Sequence, residues 1–171
     1  MRKTSRLLGL LLLLGVCAMA QEQTPTAELF GGYSFVHSSL PGQGLNANGG
    51  SASFAINPEH WLGFVADFGG YHGSVASAGV TDFTYLFGPR FSYRSKSPLT
   101  PFAHVLLGGI HQSVGGISSQ NGFAMAIGGG LDLKVDSHWA WRMVQAEYLY
   151  SNLTNQQNNA RISTGIVYRW D

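Results

Sequence analysis

From residue 27 onward, apolar and polar positions alternate in short runs, and no stretch sustains the period of an amphipathic helix. In segment 80–94, Phe83, Tyr85, Phe87, Pro89, Phe91 and Tyr93 share one parity. Asp82, Thr84, Leu86, Gly88, Arg90, Ser92 and Arg94 share the other. Segment 121–135 sets Phe123, Met125, Ile127, Leu131, Leu133 and Val135 against Ala124, Ala126, Gly128, Gly130, Asp132 and Lys134. Segment 61–71 sets Leu62, Phe64, Ala66 and Phe68 against Gly63, Val65, Asp67 and Gly69, and segment 27–36 sets Leu29, Tyr33 and Phe35 against Glu28, Gly32 and Ser34. Period two, punctuated by turn residues, predicts strands. Eight are expected: 27–36, 46–56, 61–71, 80–94, 101–112, 121–135, 140–150 and 160–170. Tight connections at 57–60, 95–100 and 136–139 alternate with longer ones at 37–45, 72–79, 113–120 and 151–159, rich in Gly, Ser, Asn and Gln. This asymmetry predicts an all-β, antiparallel up-and-down barrel with turns at one rim and loops at the other.

The sidedness of the strands decides the environment. The aromatic face is too bulky for the interior of an eight-stranded barrel, which has room only for close-packed side chains. The opposite face carries Gly, Ala and Ser together with the charges. The apolar face should therefore point outward, which is favourable only in lipid. A soluble ligand-binding barrel, with the faces reversed, is the rival.

Inward parity then collects Glu28, Asp67, Asp82, Asp132 and Glu147 with Arg90, Arg94, Lys134, Arg161 and Arg169, five charges of each sign. Charges removed from water must pair. Closure of the first strand on the last predicts a Glu28–Arg169 pair, and the final hairpin predicts Glu147–Arg161. An interior filled this way is a plug of structural ion pairs rather than an ion path.

Aromatic residues should form two interface bands. Trp61, Trp139, Trp141 and Trp170 fall at the turn side; Tyr33, Phe35, Tyr71, Tyr148 and Tyr150 fall at the loop side. Two residues fit poorly. Trp141 shares the inward parity of Gln145 and Glu147, which would send Arg142 outward to snorkel at the interface. Pro89 lacks the N–H that a closed ladder needs, which suggests a bulge at Gly88-Pro89.

The first twenty residues read as an export signal. Arg2, Lys3 and Arg6 precede an apolar run from Leu7 to Val16, and Ala18-Met19-Ala20 supplies a cleavage site. Removing residues 1–20 takes away Cys17, the single cysteine, so no disulfide or thiol chemistry is expected. Residues 21–26 form a short lead, and 27–171 the barrel. Seven of the ten Lys and Arg then remain against nine Asp and Glu, about −2 overall. That balance offers nothing to attract nucleic acid.

No motif for catalysis or cofactor binding stands out. Gly128-Gly129-Gly130 follows no strand-to-helix turn, so it is not a phosphate loop. His37-Ser38-Ser39 could belong to a membrane-embedded lipid hydrolase, but no acid accompanies it in that loop. His37, His72 and His111 sit at the loop-side ends of non-adjacent strands, too spread for one metal. They are expected to meet lipid headgroups at the outer rim, becoming cationic at mildly acidic pH. The four long loops contain no Asp, Glu, Lys or Arg, so they have no means of capturing a charged partner electrostatically.

The stretches "ELFGGYSF" (28–35), "YLFGPRFSYR" (85–94), "PFAHVLLGG" (101–109), "AIGGGLDLKV" (126–135) and "VQAEYLY" (144–150), with the aromatic last strand, resemble the small outer-membrane barrels related to the OmpA transmembrane domain. The resemblance covers the whole segment after the signal. It implies an eight-stranded antiparallel barrel in the outer membrane but says little about an individual role. With no catalytic motif in view, the expectation is a non-enzymatic, cofactor-free, monomeric barrel of a Gram-negative-type outer membrane, both termini periplasmic, with an envelope-structural or surface-contact role. The resemblance also implies outer-membrane lipid and the outer-membrane assembly machinery as partners. That machinery would read Ile162, Ile166, Tyr168 and Trp170 in the last strand. Thr164 is a mild departure, and Asp171 extends one residue past the terminal aromatic. No peptidoglycan-binding domain follows, so cell-wall anchoring is not expected.

Overall fold

The computed structural model describes residues 24–40, 43–75, 78–115, 118–153 and 156–171. The segment read as an export signal, with Cys17, lies outside the described residues. Eight strands follow one another: β1 Ala27–Leu40, β2 Gln43–Ile56, β3 Leu62–Val75, β4 Ala78–Ser92, β5 Leu99–Val114, β6 Ser118–Lys134, β7 Trp139–Asn152 and β8 Gln156–Trp170. Each pairs antiparallel with its sequence neighbour, and β1 pairs with β8, closing the barrel.

The strands run further toward the loop side than their hydrophobic pattern predicts. Ser38 pairs with Leu45, and the β1–β2 ladder continues to Leu40↔Gln43; His72 pairs with Thr81 on the β3–β4 hairpin. A membrane needs only about 9–11 residues per tilted strand. These strands have 14–17, so the polar stretches continue the ladder beyond the apolar band, with different side chains because their surroundings differ.

Sidedness is as the alternation predicts for most of the barrel. Phe64, Phe68, Phe83, Phe87, Phe91, Phe123 and Ile127 are exposed on the outside, whereas Ser34, Asp67, Thr84, Ala124 and Ala126 are buried inside. The interior is narrow enough that glycine is needed on its wall. A Cβ on Gly130 would stand 2.5 Å from the Val144 carbonyl oxygen and 2.7 Å from the Phe102 ring.

Two expectations fail at the backbone, and they are linked. Gly88-Pro89 carries no bulge: Phe87↔Leu107 and Arg90↔His104 lie in one unbroken register, with Pro89 opposite Phe64 on its other side. The bulge lies on β7. The β7–β8 register shifts between Arg142 and Gln145, and the β6–β7 register shifts beside it. Met143 and Val144 are consecutive and both exposed. Below them the parity reverses, so Trp141 is outside and Arg142 inside, opposite to the uninterrupted alternation. The reason is energetic: without the extra residue a guanidinium would face the apolar exterior and an indole would crowd the lumen.

Candidate functional site

The lumen holds two groups of charged side chains separated along the barrel axis. The middle group centres on Arg161 of β8, which is fully buried. Its Nε and Nη2 donate to Glu147 of β7 at 2.6 and 2.8 Å, and its Nη1 donates to Asp67 and to the Tyr71 hydroxyl of β3 at 2.8 and 2.7 Å. Glu147 also takes hydrogen bonds from Gln145 (2.9 Å) and meets His104 Nε2 of β5 at 2.8 Å. Because β3 and β8 are not neighbours, Arg161 ties opposite walls together.

The turn-side group contains four guanidiniums and two carboxylates. Arg142 donates to both oxygens of Asp132, at 2.8 and 3.1 Å, and to Gln145 at 2.7 Å. Its guanidinium lies 4.4 Å from the ring centroids of both Phe30 and Phe102. Both ring faces attract the cation electrostatically, an effect that burial strengthens. Glu28 is shared three ways. Arg90 donates to one of its oxygens; Arg94 donates to the other at 3.2 Å, and Arg169 Nε approaches that oxygen to 3.3 Å. Arg90 also reaches Asn57 at 3.2 Å, and Asn57 donates to the Pro25 carbonyl at 2.8 Å, closing the rim.

Both predicted pairs are present. Glu28 and Arg169 are cross-strand neighbours, and so are Glu147 and Arg161. The remaining inward charges divide. Asp82 sits nearer the loop side, half-buried, accepting from Gln112 at 2.9 Å, with no ion-pair partner among the described residues. Lys134 is exposed at the turn-side rim. Sequence reasoning missed Arg142 through the unrecognised bulge, Tyr71 by assigning it to the interface band, and His104 and Gln145 because the charge pattern alone was followed. The "AH" of "PFAHVLL" was a usable signal, since Ala103 and His104 continue the alternation that buries Phe102.

The aromatic bands are largely where they were expected, with one correction. Trp61 stacks on Phe91 (centroids 6.0 Å apart), and Tyr168 packs edge-on against Trp139 (4.8 Å) and Trp170 (4.7 Å) at the turn side. Tyr33 and Tyr148 donate to Asn48 and Asn158 at the loop side, at 2.6 and 2.5 Å, and Tyr150 is half-buried there. Tyr71, however, is buried in the lumen on Arg161. It shares Asp67's parity, and Gly69 makes room for it: a Cβ there would lie 2.0 Å from its hydroxyl. The three rim histidines point outward. Each bonds the residue directly opposite on the next strand: His37 to Asn46 (2.7 Å), His72 to Thr81 (3.0 Å) and His111 to Asn121 (2.7 Å). His37 is outside and Ser38 inside, so these neighbours stand on opposite faces of the wall. In the last strand, Ile162, Ile166 and Trp170 face outward, and Tyr168 is half-buried within the aromatic cluster.

A closed eight-stranded barrel with an apolar exterior and charged side chains turned inward is an integral membrane barrel. The model of the outer membrane protein β-barrel domain family matches residues 8–169, and the chain belongs to that family and to the outer membrane. Its fold is similar to that of Neisserial surface protein A (TM-score 0.72, 14% identity, covering 87% of this chain and 100% of that one). It is also similar to Ail, the attachment invasion locus protein of Yersinia pestis (TM-score 0.64, 18% identity, covering 86% and 100%). The N-terminal barrel domain of Pseudomonas aeruginosa OprF gives a TM-score of 0.51 at 16% identity, covering 85% and 100%. No curated protein matches the sequence.

Proposed function

We propose that this chain is a non-enzymatic, monomeric outer-membrane barrel whose interior is closed by its own side chains, serving envelope structure or surface contact. The observation that carries the reading is the set of bonds across the lumen: Arg161 joins β8 to β3, and Arg90 joins β4 to β1. Together with the Phe30–Arg142–Phe102 stack, they occupy the axis at two levels. In this reading the lipid-facing bands contact outer-membrane lipid, and the turn side with both termini is periplasmic. Ile162, Ile166, Tyr168 and Trp170 are then the signal read by the assembly machinery.

A solved complex of Ail holds the heparin analogue sucrose octasulfate. The loops of the present chain carry no Lys or Arg, so the surface contact proposed here is with neutral partners. His37 and Ser38 stand on opposite faces of the wall, so these two do not form a nucleophile–base pair of a lipid hydrolase.

Planar-bilayer recordings of the purified protein test the closed lumen. The expected result is no steady conductance, and large persistent channels would overturn the reading. Orientation is tested with a single cysteine at Ser97, in the β4–β5 turn. An impermeant maleimide should label it only after the outer membrane is opened.

A further inference from the structure

The turn-side group is out of balance. Among the described residues, Arg90, Arg94, Arg142 and Arg169 gather around Glu28 and Asp132, four buried or nearly buried cations against two buried anions. Both oxygens of Asp132 are taken by Arg142, so Arg169 Nη2 stands 3.8 Å away, beyond a hydrogen bond. Arg169 is 6% exposed, yet among the described residues neither its Nε nor its Nη2 has a hydrogen-bond partner, and Arg94 Nε lacks one too. An unpaired guanidinium N–H out of water is costly, more so beside like charges.

These groups border a cavity. It has a volume of about 160 Å³ and is lined by Arg94, Arg169 and Lys134 with Ser95, Ser97 and Ser137. Three cations and, with Thr100, four hydroxyls stand around it. Asp171 also lines the cavity and is exposed; Glu59 and Asp136, in the neighbouring turns, are exposed as well. Carboxylates in water offset a buried charge weakly.

We propose that this turn-side mouth is a binding site for one phosphate-class oxyanion, held by Arg169 and Arg94, with Lys134 and the serine hydroxyls at its outer edge. A tetrahedral oxyanion accepts from several donors at once, so it satisfies the open guanidinium N–H groups and brings the cluster toward neutrality. The chemistry is shared by free inorganic phosphate and by a phospholipid headgroup reaching over the rim past Lys134. The site rests on the barrel geometry alone and stands whether or not the lumen conducts.

The test uses the full folded chain in nonionic detergent free of phospholipid. Inorganic phosphate is titrated against chloride at constant ionic strength, with calorimetry and the thermal midpoint as readouts. A saturable one-site isotherm and a rising midpoint are expected. Arg94→Gln should weaken binding by about tenfold or more, the loss of one charge-assisted contact. Arg169→Gln should abolish binding. Should Arg169→Gln fail to fold, Arg94→Gln and Lys134→Gln carry the test. In a second arm, wild type and Arg94→Gln are reconstituted in phosphatidylglycerol vesicles. A shifted headgroup phosphorus resonance in wild type only, with no response to free phosphate in micelles, would assign the site to lipid. Absence of both responses, or binding undiminished in Arg94→Gln and Lys134→Gln, overturns the proposal.

Discussion

In the middle of the barrel one guanidinium, Arg161, serves two carboxylates, Glu147 and Asp67. At the turn side one carboxylate, Glu28, serves three guanidiniums. The same residue types and similar distances therefore give opposite energetics, because the scarce partner differs. Removing the shared member of either group leaves several like charges buried together, whereas removing one of the plural members relieves crowding. A residue's contribution here follows from what it leaves behind, not from how many bonds it makes.

Four tests bear on this contrast, the strongest first. Deleting Val144 removes the β7 bulge and forces the half of β7 below it into the parity of the half above, sending Arg142 to the lipid side and Trp141 into the lumen. No folded, heat-modifiable species is expected on a semi-native gel. Next come the two shared members. Arg161→Met should cost about 3–5 kcal/mol in urea unfolding from detergent or lipid by stranding Asp67 and Glu147, and Glu28→Gln should cost a similar amount by stranding three cations. A cost below about 1 kcal/mol for either would show that water or a counterion reaches the lumen freely.

Third, Tyr71→Phe removes one hydrogen bond to a charged group and should cost about 1.5–3 kcal/mol, while Tyr33→Phe on the exposed rim should change stability far less. Equal effects would mean that Tyr71 is an interface residue after all. Smallest is Arg94→Gln in phosphate-free buffer. It should move stability by less than about 1 kcal/mol in either direction, since Glu28 keeps Arg90 and Arg169.

Much of this architecture was legible in the sequence because lipid and lumen impose opposite demands on alternate residues. The parity of Phe83 through Tyr93 located the outside, Glu28 and Arg169 identified the closing seam, and Glu147 and Arg161 identified the last hairpin. What was not legible depends on one inserted residue or on distance across the lumen. Arg142 and Trp141 exchanged faces because a bulge alters phase without altering composition. Pro89 drew attention as a ladder breaker, yet it is accommodated in register. The Arg161 bonds to Asp67 and Tyr71 join residues 94 and 90 positions apart on non-adjacent strands, so no local pattern could predict them. Tyr71 is different: its parity with Asp67 already placed it inside, and grouping it with the rim aromatics overrode that signal.

The bulge in β7 behaves like an edge dislocation in a crystal. It separates two correctly ordered lattices that are out of phase: Trp139, Trp141 and Met143 follow one phase on the lipid side, and Val144, Ala146, Tyr148 and Tyr150 follow the other. Such a defect has no local repair, because removing it misplaces every side chain on one of its flanks. A systematic substitution scan along β7 should show tolerance for apolar residues switching from odd to even positions between 143 and 144. Shuffled chimaeras of related barrels should accept a crossover on either side of that point only when both parents carry the extra residue.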